Sequence, residues 1–158
     1  MRYDFNADEI FEMAEQMERN GAAFYRGAAE GIDDPEAKKL LLDLAAMEDE
    51  HEITFQALRR ELAEPMKKST VFDPEGESAM YLRALVDTKV FFEKNIDKGS
   101  MREILKEAIT AEKDSIVFYL GMKDTVPEKL GKEKIDAIIR EEMGHIRTLS
   151  RELVSLKE

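Results

Sequence analysis

Apolar residues recur along most of this chain at intervals of three and four, the period that gathers them on one face of an α-helix. In the first run Ile10, Phe11, Ala14, Met17, Ala22 and Tyr25 follow that spacing. Asn6 is a good N-cap with Glu9 three residues on, and Gly31 ends the run. Asp34-Pro35 predicts a second start, with Asp as cap and Pro at the first helical position. Its stripe is Leu41, Leu44, Ala45, Phe55, Leu58 and Leu62, and Pro65 stops it. A third run from about 101 to 124 carries Ile104, Leu105, Ala108, Ile109, Ile116 and Tyr119, opened by Ser100 and Glu103 as a capping box. Pro127 and Gly131 punctuate the turn into a last helix over roughly 132–156, with Ile135, Ile138, Ile139, Ile146 and Leu149. Between the second and third runs, residues 65–77 read as a loop, and Ala79 to Phe92 as a short crossover helix. No useful strand alternation is present. The pattern predicts an all-α protein, one domain over residues 1–158. It is a four-helix bundle of two helical hairpins joined by a long crossover that contains a short extra helix.

Certain positions in these stripes are not apolar. Glu48 and His51 fall in register with Leu41, Leu44 and Phe55, and Glu142 and His145 with Ile135, Ile138 and Leu149. Both pairs are Glu-x-x-His, a spacing that puts the two side chains on one helix face. They use both of the chain's 2 histidines. The other two long helices each place one glutamate in the stripe: Glu18 among Phe11, Ala14, Ala22 and Tyr25, and Glu112 among Leu105, Ala108, Ile116 and Tyr119.

The halves repeat. A shift of 94 residues carries Glu18, Tyr25, Glu48 and His51 onto Glu112, Tyr119, Glu142 and His145, together with Ile10 to Ile104, Ala14 to Ala108, Phe24 to Phe118 and Leu62 to Leu156. Two copies of a helical hairpin packed about a pseudo-twofold axis would bring all six polar groups together.

Composition limits what can bind there. With 0 Cys there is no disulfide, thiolate ligand or thiol nucleophile, so a metal site must be built from carboxylate and imidazole. Four buried carboxylates repel one another and are costly unless compensated; two divalent cations balance them and leave the imidazoles neutral. Such a donor set suits two iron ions, with manganese or zinc as alternatives. The ligand set is Glu18 with Glu48 and His51 for one metal, and Glu112 with Glu142 and His145 for the other. Glu48 and Glu142 are the expected bridges, because the two motif helices face each other across a bundle. Tyr25 and Tyr119, each seven residues after its helix's glutamate, are expected either as core aromatics or with their hydroxyls on a ligand carboxylate. Glu15, Glu52 and Glu141 adjoin the ligand faces and are expected to be solvated or to pair helices, with a role as extra or substitute ligands the alternative. No catalytic residue beyond the ligands is expected.

The net charge of −11 argues against nucleic acid and anionic membrane as partners. No stretch has the apolar length of a membrane span, and the first residues lack the apolar run of a signal peptide, so a cytoplasmic protein is expected.

Four helices contributing Glu, Glu-x-x-His, Glu and Glu-x-x-His, with a long connection between the second and third, resemble the ferritin-like di-iron carboxylate proteins, and among them most the rubrerythrin di-iron domain. The resemblance covers essentially the whole chain. It implies a non-haem di-iron oxidoreductase that reacts with peroxide or dioxygen, as in defence against oxidative stress, and a homo-oligomer, expected as a dimer. Two departures matter. Rubrerythrins carry a rubredoxin module with four cysteine ligands; here no cysteine exists, so a separate electron-donor protein is implied. Their third helix also gives a further glutamate, whereas the positions three before and three after Glu112 are Ile109 and Ser115. The remaining set is more symmetric and closer to that of bacterioferritin. Asp49 stands where that family has its haem-ligating Met, so no haem is expected. Ferritin-like iron binding with ferroxidase activity, and a metal-stabilised bundle without redox function, are the alternative readings.

Overall fold

A computed structural model describes residues 7–62, 100–125 and 131–156. The expected crossover helix over 79–92, the loop over 65–77, the Asn6 cap, and the stops at Pro65 and Pro127 lie outside the described residues.

Four helices fill the described residues: α1 (Ala7–Glu30), α2 (Pro35–Arg60), α3 (Met101–Thr125) and α4 (Lys132–Ser155). Their starts follow local chemistry. The Asp34 side chain accepts from the Ala37 N–H at 2.9 Å, with Pro35 at the first helical turn, where its missing N–H costs nothing. Ser100 Oγ accepts from the Glu103 N–H at 3.3 Å. Ahead of α4, Gly131 takes φ +87°, a left-handed conformation that disfavours any side chain. A Cβ there would also stand 2.5 Å from Leu58 Cδ2, so Gly131 sits against the end of α2 only because it is bare.

The core has three layers along the bundle axis. At one end, Ile10, Phe11 and Ala14 of α1 meet Phe55 and Leu58 of α2, Phe118 and Met122 of α3, and Ile135 and Ile138 of α4. At the other, Phe24, Tyr25 and Ala28 of α1 meet Leu41 and Leu44 of α2, Ile104 and Leu105 of α3, and Leu149 of α4. The expected stripe residues are buried, except that Ile109, Ile116 and Ile146 are only partly so. Fully burying one such side chain contributes about 1.5–3 kcal/mol, so the two end layers supply most of the bundle's driving force.

These layers also fix direction. α1 and α2 are antiparallel, as are α3 and α4, because each hairpin begins and ends at one layer. Both α2 and α3, however, run from the second layer to the first. A connection between two parallel helices must return the length of α2, about 39 Å at 1.5 Å per residue, which is why the chain needs a long segment there. Between the apolar layers lies a polar one.

Candidate metal centre

Every helix puts a charged or imidazole side chain into the middle layer, and all are buried: Glu18 from α1, Glu48 and His51 from α2, Glu112 from α3, Glu142 and His145 from α4. Glu142 is 0% exposed. Their donor atoms converge in two groups, each within 4.8 Å: Glu18, Glu48, His51 and Glu142; and Glu48, Glu112, Glu142 and His145. Glu48 and Glu142 belong to both. The six positions singled out by the repeat are thus brought together, with one glutamate and one histidine particular to each group.

Both imidazoles turn the same atom inward. His51 Nδ1 lies 2.8 Å from Glu142 Oε1 and 3.5 Å from Glu18 Oε2. His145 Nδ1 lies 3.4 Å from Glu112 Oε1, and 3.6 Å from both Glu48 Oε1 and Glu142 Oε2. The rings stack with centroids 5.8 Å apart. Yet Nδ1 of both histidines, both oxygens of Glu142, Glu18 Oε2 and Glu112 Oε2 are buried and make no aligned hydrogen bond. Buried polar atoms are rarely left so, and here they point at one another. Carboxylate oxygens and ring nitrogens converging on one another, with most of them lacking an aligned partner, are what a cation would satisfy, so the residues present fit a pair of divalent ions.

The charge state of the metal-free cluster leads to the same view. Burial lifts Glu18 above the usual carboxylate range, with Glu142 adding to the effect; burial and the Glu18 and Glu142 charges lift Glu48 as well. Burial works in the same sense on Glu142, but His145 and His51 outweigh it and hold this group low. For the histidines burial favours the neutral ring, but the facing carboxylates win: Glu142 and Glu18 hold His51 up to about 11, and Glu142 and Glu48 hold His145 up to about 10. Protons therefore compensate the carboxylates where no cation does.

The two tyrosines cross between hairpins. Tyr25 on α1 donates its hydroxyl to Glu112 Oε1 on α3 at 2.6 Å, and Tyr119 on α3 donates to Glu18 Oε1 on α1. Burial and the neighbouring glutamates push both phenols well above their ordinary value, so they remain donors. Tyr25 packs in one apolar layer and Tyr119 in the other, so each fixes the glutamate of the opposite helix from its own side of the polar layer.

Two neighbours were not legible as site elements, and two more pair helices as expected. Glu141, expected to be solvated or to pair helices, is 53% exposed at its side chain but places Oε2 2.5 Å from His51 Nε2, across from α4 to α2. Glu15 is buried and held by Arg59 at 2.9 Å, and Glu52 pairs with Arg19 at 3.2 Å; both ion pairs tie α1 to α2. Gly21 is the other unmarked residue: a Cβ there would meet Glu48 Oε2 at 3.2 Å, so the bare backbone of α1 makes room for a shared carboxylate. Only adjacency to the ligand face hinted at Glu141, and nothing in the pattern marked Gly21.

No family model and no curated protein matches the chain. Among solved structures, it resembles one from Thermotoga maritima described as a candidate ferritin-like diiron-carboxylate protein, at 25% identity and a TM-score of 0.70 over 95% of each chain. The chain has the ferritin-like four-helix bundle, with two buried carboxylate–histidine clusters joined by Glu48 and Glu142 at its centre.

Proposed function

We propose that this chain is a ferritin-like di-iron carboxylate oxidoreductase that reduces peroxide or dioxygen with electrons from a separate donor protein. The observation that carries the reading is the pair of buried donor groups sharing Glu48 and Glu142. The description of the Thermotoga maritima protein, similar over 95% of its length, supports it.

In this reading Glu18 and His51 hold one iron, Glu112 and His145 the other, and Glu48 and Glu142 lie between them. Manganese or zinc fits the same oxygen and nitrogen donors. Two ferrous ions together supply the two electrons that, with two protons, convert hydrogen peroxide to two waters. The chain's own residues do the rest. Tyr25 and Tyr119 hold the terminal glutamates Glu112 and Glu18 in place, and Glu141 orients His51 from behind. The apolar layers on both sides keep bulk water from the centre, which strengthens the attraction between cation and carboxylate.

Stopped-flow mixing of the ferrous-loaded protein with peroxide is the test. Oxidation much faster than that of free ferrous iron, and turnover when a reductant is supplied, is expected; oxidation no faster than free iron refutes the proposal. Ferroxidase action within an iron-handling assembly is a second reading, favoured by the symmetry of the donor set, one glutamate and one histidine particular to each group. It requires a hollow shell of many subunits, and light scattering that finds a dimer excludes it.

A further inference from the structure

The twofold repeat extends outside the buried cluster and then breaks. Two grooves flank the histidines between α2 and α4, one of about 430 Å³ against His51 and one of about 560 Å³ against His145. The shift of 94 residues maps the first onto the second: His51 to His145, Thr54 to Thr148, Ile138 from Leu44. The chemistry changes at six lining positions: Glu50 becomes Gly144, Lys134 and Ala137 stand where the second groove has Leu40 and Asp43, and three further exchanges alter the cations and the acceptor beside the histidine. Ile53 becomes Arg147, Ala57 becomes Arg151, and Glu141, the residue against His51 Nε2, has Met47 as its counterpart.

The exchange leaves His145 unlike its partner. Its side chain is 4% exposed and lines the larger groove, and Nε2, the nitrogen not turned toward the carboxylates, has no hydrogen-bond partner. Met47 cannot accept from it as the Glu141 carboxylate does from His51. Arginines surround the gap instead. Among the described residues Arg147 and Arg151 pair with no carboxylate, and Arg140 donates only to the Asp136 carbonyl at 3.4 Å. Arg147 lies over Gly144, its Nη2 3.6 Å from where a Cβ would be. The two acids in the lining are engaged elsewhere, Asp43 with Lys39 at 2.7 Å and Glu141 with His51. A groove with three guanidinium groups is unexpected in a chain of net charge −11.

We infer that the His145 groove binds a small oxyanion, a phosphate or a carboxylate, which accepts from His145 Nε2–H and from the Arg147 and Arg151 guanidinium groups, taking the place that Glu141 fills at His51. Guanidinium pairs present donors in the fork geometry that such oxygens accept. The inference rests on the two-metal reading in one respect: a metal on Nδ1 leaves the ring hydrogen on Nε2, facing outward. The anion then bears on one metal of the pair only, and makes the two unequal.

The test titrates zinc-loaded protein, which is diamagnetic, with inorganic phosphate and separately with succinate, while following both imidazoles by nitrogen-15 NMR. Zinc content is measured on the same sample. Phosphate or succinate should shift His145 Nε2 and leave His51 Nε2 in place; the arm that saturates at lower concentration identifies the anion. R147Q/R151Q should weaken binding at least tenfold, and Met47→Glu, which supplies the missing carboxylate from within, should abolish it. Lys134→Gln, in the opposite groove, should leave it unchanged. No shift with either anion, equal shifts at both histidines, or unaltered binding in R147Q/R151Q overturns the inference. A sample that takes up two zinc ions but neither anion overturns the groove alone; one that takes up no metal refutes the metal reading, and the groove is then decided by the titration itself.

Discussion

Tyr25 Oη lies 2.6 Å from Glu112 Oε1, a hydrogen bond between residues 87 apart that ties the first hairpin to the second inside the polar layer. Tyr119 makes the reciprocal bond to Glu18. Removing the hydroxyl strands a buried carboxylate oxygen without changing the shape of the core. Tyr25→Phe should therefore destabilise the metal-free protein by about 1–3 kcal/mol in urea unfolding. It should also weaken metal binding by about 10–100-fold, the usual effect of losing a partner that orients a ligand. Unchanged metal affinity would show that Tyr25 only fills space.

Sharing of Glu48 and Glu142 makes the glutamates unequal. Glu48→Gln removes a donor from both groups and should reduce metal uptake at both, whereas Glu18→Gln should leave one ion bound per chain. Metal stoichiometry by plasma emission spectroscopy separates the two outcomes. Equal losses in both variants would mean that the pair fills only as a unit.

Proton release should accompany metal uptake. With His51 held near 11 and His145 near 10, both imidazoles are protonated in the metal-free protein at neutral pH, and a cation on Nδ1 must displace those protons. Apparent affinity should rise with pH across the neutral range, with about one proton released per imidazole, read by calorimetry in buffers of different ionisation enthalpy. Stability of the metal-free protein should follow the opposite course. A histidine whose folded value is raised contributes stability that is full below the unfolded value of about 6.5 and is lost as pH climbs through the folded one. The raised carboxyls of Glu18 and Glu48 act in the same sense and the lowered Glu142 against it. The melting temperature of the metal-free protein should fall between pH 6.5 and 10, while that of the metal-loaded protein should change less.

Gly21→Ala separates helix propensity from site geometry. Alanine in a helix interior is worth about 0.5–1 kcal/mol over glycine. Here the new Cβ would stand 3.2 Å from Glu48 Oε2, so the carboxylate must yield by a few tenths of an ångström. The metal-free protein should be as stable as the parent or slightly more so, while metal affinity falls. A gain in both would show that Glu48 has room to move.

The sequence by itself determined the helices, their direction of amphipathicity and the six polar residues of the centre. Local rules suffice for these: a period of three to four places Glu18 and Phe11 on one face, and Asp34 and Ser100 cap helices with their own side chains. The repeat of the polar positions made the interruptions legible as a site, since four charged positions and two histidines sat where burial would be costly without a cation. Tertiary structure alone decided what lies across the helices. Which tyrosine meets which glutamate, that Glu141 reaches His51, and that Gly21 clears space for Glu48 all depend on how one helix is rotated and advanced against its neighbour. That placement is set by the summed packing of two apolar layers, and no residue spacing within a single helix encodes it. The same packing set the places where the repeat breaks side by side as two grooves, one closed by the Glu141 carboxylate and the other lined by arginines.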